Sequence, residues 1–299
     1  RDSSTSRGLG DVYKRQTYTL KDSLTIPKFG LGTWLIDDKD TAEAVRKAIG
    51  FGYRLIDTAQ AYGNERGVGE GVRTASVPRE DIFVTSKIAA ELKDYESASK
   101  SIDETLNKMG LDYIDMMLIH SPQPWKEVNQ SENRCLLAKR EVWKALEDAY
   151  DEGKVKAIGV ANFLEEDLMN ILENCRIRPM VDQLLCHVGN TPFGVIDFCK
   201  KENILVEAYS PIAHGAALKL KDIEPMAKKY GATIAQLCIR YDLQLGTVVL
   251  PKTANLDHMK ANADVDFTIS DEDMETLKKI TFKDYGEASH FPVFGGKIK

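Results

Sequence analysis

The 299-residue sequence lacks the features that mark several common protein classes. Its five cysteines are scattered and none has CxxC spacing, which argues against a disulfide framework or a zinc site and fits reduced thiols in a cytoplasm. The five histidines form neither an HExxH motif nor a His-x-His pair, so we expect no protein-bound metal. No apolar run is long enough to predict a membrane span.

An excess of basic residues is also missing. The formal net charge is -6 at pH 7, whereas phosphate binding requires a basic face, so we expect no nucleic-acid partner. Hydrophobic residues make up 43% of the chain, which is enough for a sizeable core. Residues 1–16 are polar and basic and lack periodicity. We expect them to be a disordered or non-native extension before a single domain over residues 17–299.

That domain alternates short apolar segments with helical patterns. Thr17–Lys28 predicts a hairpin, and each of the eight later apolar segments is followed by helical spacing. The predicted strands are Phe29–Trp34, Tyr53–Thr58, Ile82–Lys87, Tyr113–His120, Val155–Asn162, Val181–Leu185, Ile204–Tyr209 and Thr247–Lys252. Continuous apolar strands suit a parallel sheet covered by helices. Eight such units without a composition break favour a closed (β/α)8 TIM barrel with an N-terminal β-hairpin.

The alternative is a doubly wound open sheet, and it lacks its nucleotide-binding motif. The glycine-rich stretch Gly67–Gly71 reads GVGEG, which is not GxGxxG. It also does not follow a predicted strand, as a dinucleotide fingerprint must. The stretch therefore gives no support to a Rossmann domain.

In a (β/α)8 barrel, the active site lies at the C-terminal ends of the strands. The polar or aromatic residues at those ends are Thr33, Trp34, Asp57, Lys87, His120, Asn162, Gln183, Tyr209, Ser210 and Lys252, with Tyr62 in the turn after Asp57. Asp57, Tyr62 and Lys87 bring an acid, a phenol and an amine to one place. Burial or a nearby charge can shift the pKa of such groups by several units, so the trio predicts a tuned proton donor.

Each of these residues also has a purely structural interpretation. Asp57 and Lys87 could form an ion pair that fixes the register of two strands. Tyr62 could be a half-buried turn aromatic, and His120 could be a core histidine with satisfied ring nitrogens. The amides that end the fifth and sixth strands could satisfy loop backbone. The convergence of all these groups on one edge favours the functional interpretation.

Six motifs resemble those of the aldo-keto reductase superfamily and occur in the family's order. They are Gly52–Glu65 (GYRLIDTAQAYGNE), Leu111–His120 (LDYIDMMLIH), Gly159–Phe163 (GVANF), Val181–Gln183 (VDQ), Tyr209–Pro211 (YSP) and Leu250–Lys252 (LPK). The chain is most similar to the bacterial branch that includes the 2,5-diketogluconate and glyoxal reductases. The resemblance implies a cytoplasmic monomer that binds NADPH without a Rossmann domain. It implies reduction of small aldehydes, dicarbonyls or keto-sugars to alcohols.

The resemblance also implies catalytic roles. Tyr62 would be the general acid, Lys87 and Asp57 the pair that lowers its pKa, and His120 the group that orients the carbonyl. An unperturbed tyrosine has a pKa of about 10, and an adjacent ammonium stabilises its phenolate. Substrate contacts are implied for Trp34, His120 and Trp125.

A further set of residues is implied to hold the cofactor. Tyr209 would stack on the nicotinamide, and Asn162 and Gln183 would bind its carboxamide. The family usually has serine where this chain has Ala161, so one contact is missing. The other implied cofactor contacts are Thr33, Asp57, Ser210, Lys252, Thr253, His258 and Asn262.

The cofactor set contains one departure from the family pattern. Members that prefer NADPH commonly have arginine six residues after the lysine, where this chain has His258. Arginine makes a permanent bidentate phosphate contact, which a neutral histidine cannot make. We therefore expect weaker discrimination against NADH than in typical members.

Two other functions fit the same motifs. One is an alcohol or hydroxysteroid dehydrogenase that works in the oxidative direction, because the cofactor ratio in the cell decides the direction. The other is a regulatory module that senses redox state through a bound nicotinamide cofactor. The complete set of Asp57, Tyr62, Lys87 and His120 favours an enzyme over a pure sensor.

Overall fold

The computed structural model describes residues 16–21 and 23–298. A hairpin of β1 (Thr17–Lys21) and β2 (Leu24–Pro27) precedes eight parallel strands, which are β3 (Leu31–Gly32), β4 (Leu55–Asp57), β5 (Phe83–Ile88), β6 (Ile114–Ile119), β7 (Val155–Ala161), β8 (Val181–Leu185), β9 (Leu205–Tyr209) and β10 (Val248–Leu250). The helices of this part of the chain are α1 (Asp38–Gly50), α2 (Glu65–Arg73), α3 (Tyr95–Met109), α4 (Leu136–Asp151), α5 (Glu165–Leu172), α6 (Phe193–Lys201), α7 (Glu224–Lys229), α8 (Ile234–Gln244), α9 (Leu256–Ala263) and α10 (Asp271–Lys278). None of these helices is both long enough and apolar enough to cross a lipid bilayer.

The parallel sheet closes on itself. From β3 to β10 the strands are neighbours in chain order. Phe29 and Gly32 then form parallel bridges to Val249 and Lys252, so the first strand pairs with the last. The Gly32 amide donates to the Pro251 carbonyl oxygen at 3.0 Å across this seam. The predicted (β/α)8 barrel with an N-terminal hairpin is confirmed.

The barrel interior is apolar from the end where the strands begin up to the level of Leu118 and Leu250. Its cluster of buried side chains includes Leu55, Phe83, Met116, Leu118, Ala157, Val181, Val248 and Leu250. Ile26 of the hairpin belongs to the same cluster and has no exposed area, so the hairpin covers this end. A larger apolar layer lies between the strands and the surrounding helices. Because burial contributes roughly 25 cal/mol per Å² of apolar surface, these two layers supply the main driving force for folding.

Most strand bounds shift by one or two residues from those expected from the sequence, and two differences change how the chain pairs. The Gln16 carbonyl oxygen accepts a hydrogen bond from the Lys28 amide at 2.9 Å, so this residue of the predicted extension pairs with the hairpin. The rest of that predicted extension, residues 1–15, lies outside the described residues. Strand β3 is shorter than predicted because the chain leaves the sheet after Gly32 and turns through Leu35, whose φ is 61°.

Helix α2 packs closely against its neighbours through glycines. Gly67, Gly69 and Gly71 are all buried. A Cβ atom added to Gly69 would lie 2.1 Å from the Met109 carbonyl oxygen in α3, and one added to Gly67 would lie 2.5 Å from the Asp38 carbonyl oxygen in α1. Both distances are far below van der Waals contact. The GVGEG stretch therefore permits three helices to approach one another, which explains its glycines without a phosphate ligand.

This packing predicts that Gly69→Ala destabilises the protein. The added methyl group meets backbone that cannot rotate away, and overpacking of this kind costs about 1–3 kcal/mol or more. The free energy of unfolding in urea measures the effect. Gly194→Ala in α6 is the matched control, because nothing lies within 4 Å of the added Cβ and no positive φ opposes it. Equal stability of the two variants would contradict the packing argument.

Candidate active site

Four polar side chains meet at the mouth of the barrel where the strands end. Asp57 is the last residue of β4, Lys87 lies near the end of β5, and His120 directly follows β6. Tyr62 is held beside them by a single 3-10 turn after β4. Because β4, β5 and β6 are adjacent in the sheet, the structure brings these four predicted residues together.

Lys87 is the centre of this group and has no exposed area. Its Nζ atom donates to Asp57 Oδ1 at 2.9 Å, to Asp57 Oδ2 at 2.8 Å and to the Thr58 carbonyl oxygen at 2.8 Å. The Tyr62 hydroxyl oxygen lies 3.3 Å from the same nitrogen. A buried ammonium is stable only where it is paired and hydrogen-bonded, and these acceptors meet that requirement.

The surroundings also set the protonation states of the group. Burial alone would lower the pKa of Lys87, but Asp57 and Tyr62 outweigh it and raise that pKa, so the amine stays charged. Burial raises the pKa of Tyr62, Lys87 opposes the rise, and Asp57 adds to it. Lys87 and Asp57 together still lower the pKa, because the charge and the hydrogen bond of Lys87 outweigh the charge of Asp57, but burial is the larger effect and the net direction is upward. The phenol therefore keeps its proton at neutral pH, and Lys87 limits the cost of losing it.

His120 lines the cleft next to Tyr62. Its ring lies edge-on to Tyr62, with centroids 5.6 Å apart, and edge-on to Trp125 at 5.1 Å. Burial, together with the charges on Lys87 and Lys93, holds its pKa well below the usual 6.5. The ring is therefore neutral at physiological pH. Its Nδ1 atom is buried without a hydrogen-bond partner among the described residues, which argues against a satisfied core histidine.

The ends of β7 and β9 form the opposite wall. Asn162 and Ser210 have φ values of 61° and 53°, a backbone conformation that non-glycine residues adopt mostly where the surroundings enforce it. The Tyr209 hydroxyl donates to Asn162 Oδ1 at 2.7 Å, and Asn162 Nδ2 donates to the His120 carbonyl oxygen at 3.0 Å. These bonds fix the Tyr209 ring in the cleft wall.

One polar residue of this region was not predicted from the sequence. Glu207 on β9 has no exposed area, and Gln183 Nε2 donates to its Oε2 atom at 2.7 Å and to Asp57 Oδ1 at 2.9 Å. Burial raises the pKa of Glu207 to about 8, so this carboxyl is mostly protonated at neutral pH. The available signal was an acidic residue within the otherwise apolar strand Leu205–Tyr209.

A cleft of about 520 Å³ opens above these side chains. Ten of the predicted site residues line it, namely Trp34, Asp57, Tyr62, His120, Trp125, Asn162, Gln183, Tyr209, Ser210 and Lys252. The remaining walls are mostly apolar and include Ile212, Phe291, Pro292, Val293 and Ile298. Within the described residues, no group of three His, Cys, Asp or Glu side chains is placed to hold a metal ion.

Four predicted cofactor residues do not line the cleft. Thr33 is fully buried, and its hydroxyl donates to the Asp57 carbonyl oxygen at 2.9 Å. Thr253, His258 and Asn262 lie on the segment that follows Lys252, whose side chain forms one edge of the cleft. Their cofactor contacts stay predictions, and the placement suits a ligand that extends past this edge.

The C-terminal wall of the cleft is fastened to the loop between β6 and α4. Asn129 Nδ2 donates to the carbonyl oxygens of Pro292 at 2.8 Å and Gly296 at 3.0 Å. Gln130 Nε2 donates to the Ile298 carbonyl oxygen at 2.9 Å. We call these three hydrogen bonds the tail clasp. It joins the loop that carries Trp125 to the segment that carries the apolar walls.

The tail clasp predicts that Asn129→Asp loosens the tail. The aspartate keeps the shape and tolerates the φ of 63°, but it donates no hydrogen bond. Loss of two hydrogen bonds of about 0.5–1.5 kcal/mol each corresponds to roughly 5- to 150-fold faster amide exchange. Hydrogen exchange at the tail amides of Phe294, Gly295 and Gly296 measures it.

The matched control is Asn203→Asp, an exposed asparagine with a φ of 57° in the turn before β9. We expect this variant to leave the tail amides unchanged. Tail exchange that stays at the wild-type rate in both variants would contradict the clasp.

The sequence matches a known protein family and several of its members. The model of the Aldo/keto reductase family matches residues 28–281. The chain is 40% identical to a 9,11-endoperoxide prostaglandin H2 reductase of Trypanosoma cruzi, over 88% of this chain and 90% of that protein. It is 37% identical to a glyoxal reductase of Bacillus subtilis, over 88% of this chain and 92% of that protein.

A solved structure shares the architecture. A Bombyx mori aldo-keto reductase in complex with NADP superposes with a TM-score of 0.81 at 29% identity, covering 92% of this chain and 95% of that one. The family match spans the whole barrel, and the sequence motifs that carried the resemblance lie at the strand ends. The chain belongs to the aldo/keto reductase family.

Proposed function

We propose that this protein reduces small aldehydes and ketones to alcohols with NADPH, and that Tyr62 is the general acid. The observation that carries the proposal is the contact between the Tyr62 hydroxyl and the buried Lys87–Asp57 pair at the floor of an apolar cleft. The reductase activities named for the Trypanosoma and Bacillus relatives support it. The NADP in the Bombyx structure supports the cofactor.

The side chains of the site suit the reduction of a carbonyl group. The nicotinamide cofactor, when bound, supplies the hydride. Negative charge then develops on the carbonyl oxygen, so hydrogen-bond donors must already be in place there. Tyr62 holds a proton at neutral pH, and neutral His120 provides a ring N–H beside it. Lys87 stabilises the phenolate that Tyr62 becomes after it donates its proton.

The cofactor fits the opposite wall of the cleft. The Tyr209 ring is an aromatic surface for the nicotinamide, and the Gln183 carbonyl oxygen is left as an acceptor because its amide nitrogen is already used. Ser210 and Lys252 continue along the wall toward the segment that contains Thr253, His258 and Asn262. These residues would hold the pyrophosphate and the adenosine phosphate.

The cleft favours uncharged substrates. Of the described residues that line it, Lys252 is the only lysine or arginine, and it belongs to the proposed cofactor wall. Trp34 and Phe291 pack edge to face at 4.8 Å and, with Trp125, present aromatic surface to the substrate. We therefore place aromatic aldehydes and small dicarbonyls ahead of keto-sugars, which need many polar partners.

Location, assembly and direction are further parts of the proposal. Five free thiols support a reducing compartment such as the cytoplasm. The family resemblance supports a monomer, and the acidic net charge supports the absence of a nucleic-acid partner. The same side chains can catalyse oxidation of an alcohol when the oxidised cofactor is in excess. The ratio of reduced to oxidised cofactor in the cell therefore sets the direction of the reaction.

The proposal predicts that Tyr62→Phe abolishes carbonyl reduction. Loss of a positioned general acid costs about 10²–10⁴-fold in rate. The assay follows NADPH absorbance with methylglyoxal and with benzaldehyde. Tyr95→Phe is the control, since this exposed tyrosine donates to Asp148 on the outside of the barrel. Normal turnover by the Tyr62 variant would overturn the assignment, and a wild type that binds NADP⁺ tightly but reduces nothing would favour a redox sensor.

The cofactor segment predicts that His258→Arg raises the preference for NADPH over NADH. Asn255 Oδ1 already accepts the amides of Asp257 and His258, so the first turn of α9 has fewer donors left for a phosphate. A charged hydrogen bond of about 1.5–3 kcal/mol corresponds to roughly a 10- to 150-fold change in the ratio of kcat/KM values. His258→Gln, which adds no guanidinium group, should leave the ratio unchanged. A wild type that already discriminates strongly against NADH would refute the expectation that His258 weakens this discrimination.

A further inference from the structure

The side chain of Gln183 has one amide nitrogen with two hydrogens, and both are used. One is donated to Asp57 Oδ1 at 2.9 Å and the other to Glu207 Oε2 at 2.7 Å. The side chain is 2% exposed, and no further donor remains on it. Gln183 therefore faces the cleft with its carbonyl oxygen alone.

The two acceptors are not equivalent. Asp57 also accepts two hydrogen bonds from Lys87, and its charge requires donors, so it keeps an N–H of Gln183 turned toward it. A single such bond leaves the amide free to rotate about it. Glu207, in the adjacent strand β9, accepts the second N–H and so fixes the plane of the amide.

Glu207 has no evident structural reason to be acidic. It lies in register with Val248 of β10 and between apolar residues of its own strand, and its Oε1 atom is buried without a partner among the described residues. An apolar side chain would avoid the cost of burying a carboxyl group there. A costly polar group that contacts a site residue is better explained by the site than by the core.

We propose that Glu207 is a positioning residue that orients the Gln183 amide, so that Gln183 accepts a hydrogen bond from the carboxamide N–H of the nicotinamide. This inference rests on the proposed function, because it concerns how the same cleft binds the nicotinamide cofactor. Under this proposal, Gln183 recognises the nicotinamide through one hydrogen atom, the carboxamide N–H. A pyridine cofactor without that hydrogen should be disfavoured.

The test compares two oxidised cofactors by calorimetric titration at pH 7. The first is NADP⁺, and the second is its 3-acetylpyridine analogue, in which a methyl group replaces the amide NH2 and the carbonyl oxygen is kept. One hydrogen bond corresponds to roughly three- to tenfold tighter binding of NADP⁺ by the wild type. In Glu207→Leu, which has no acceptor for Gln183, we expect this ratio of Kd values to fall toward one.

Two further variants separate positioning from general damage. Glu207→Gln keeps an acceptor oxygen for Gln183 and should restore the wild-type ratio, whereas Gln183→Leu should abolish the preference. If Glu207→Leu weakens both cofactors equally and leaves the ratio unchanged, the role is structural and the inference is wrong. A wild type without preference between the two cofactors would also overturn it. Failure of the wild type to bind NADP⁺ at all would instead overturn the proposed function.

Discussion

The buried ammonium of Lys87 is the constraint on which the mouth of this barrel depends. A charge with no exposed area must find all its partners inside the protein, and here they come from β4 and the turn after it. That requirement fixes β4 against β5, holds the turn that presents Tyr62, and leaves the phenol within reach of a cation. The charge that the fold must satisfy is the same charge that the chemistry uses.

The interior of the barrel is therefore divided along its axis. The end covered by the hairpin is apolar and needs only packing, whereas the mouth contains polar groups that bond one another. One hydrogen-bonded chain runs from Lys87 through Asp57 and Gln183 to Glu207. Buried polar groups that are hydrogen-bonded to one another in this way lose little freedom when a ligand arrives, because their orientations are already set.

Most of the fold could be predicted because each strand is a short apolar run with a polar or aromatic residue at or close to its end. Such local patterns located the four side chains of the group centred on Lys87 and the wall residue Tyr209. The net direction of the Tyr62 pKa could not be predicted, since it depends on how far the phenol is shielded from water by side chains of other segments. Glu207 was missed because a lone acid in a strand has no local partner, and the tail clasp was missed because loop amides such as Asn129 carry no periodicity. These features arise only when distant segments meet.

The tail clasp holds the C-terminal segment by its backbone. Its three bonds go to carbonyl oxygens, and every residue has a carbonyl oxygen whatever its side chain. Substitution at wall positions such as Val293 and Ile298 can therefore reshape the cleft while the anchoring is retained. A lineage of this protein can change the molecules it accepts through tail side chains alone, and the catalytic floor, built from other parts of the chain, is left intact. Substrate range and catalytic competence can thus evolve as separate traits within one barrel.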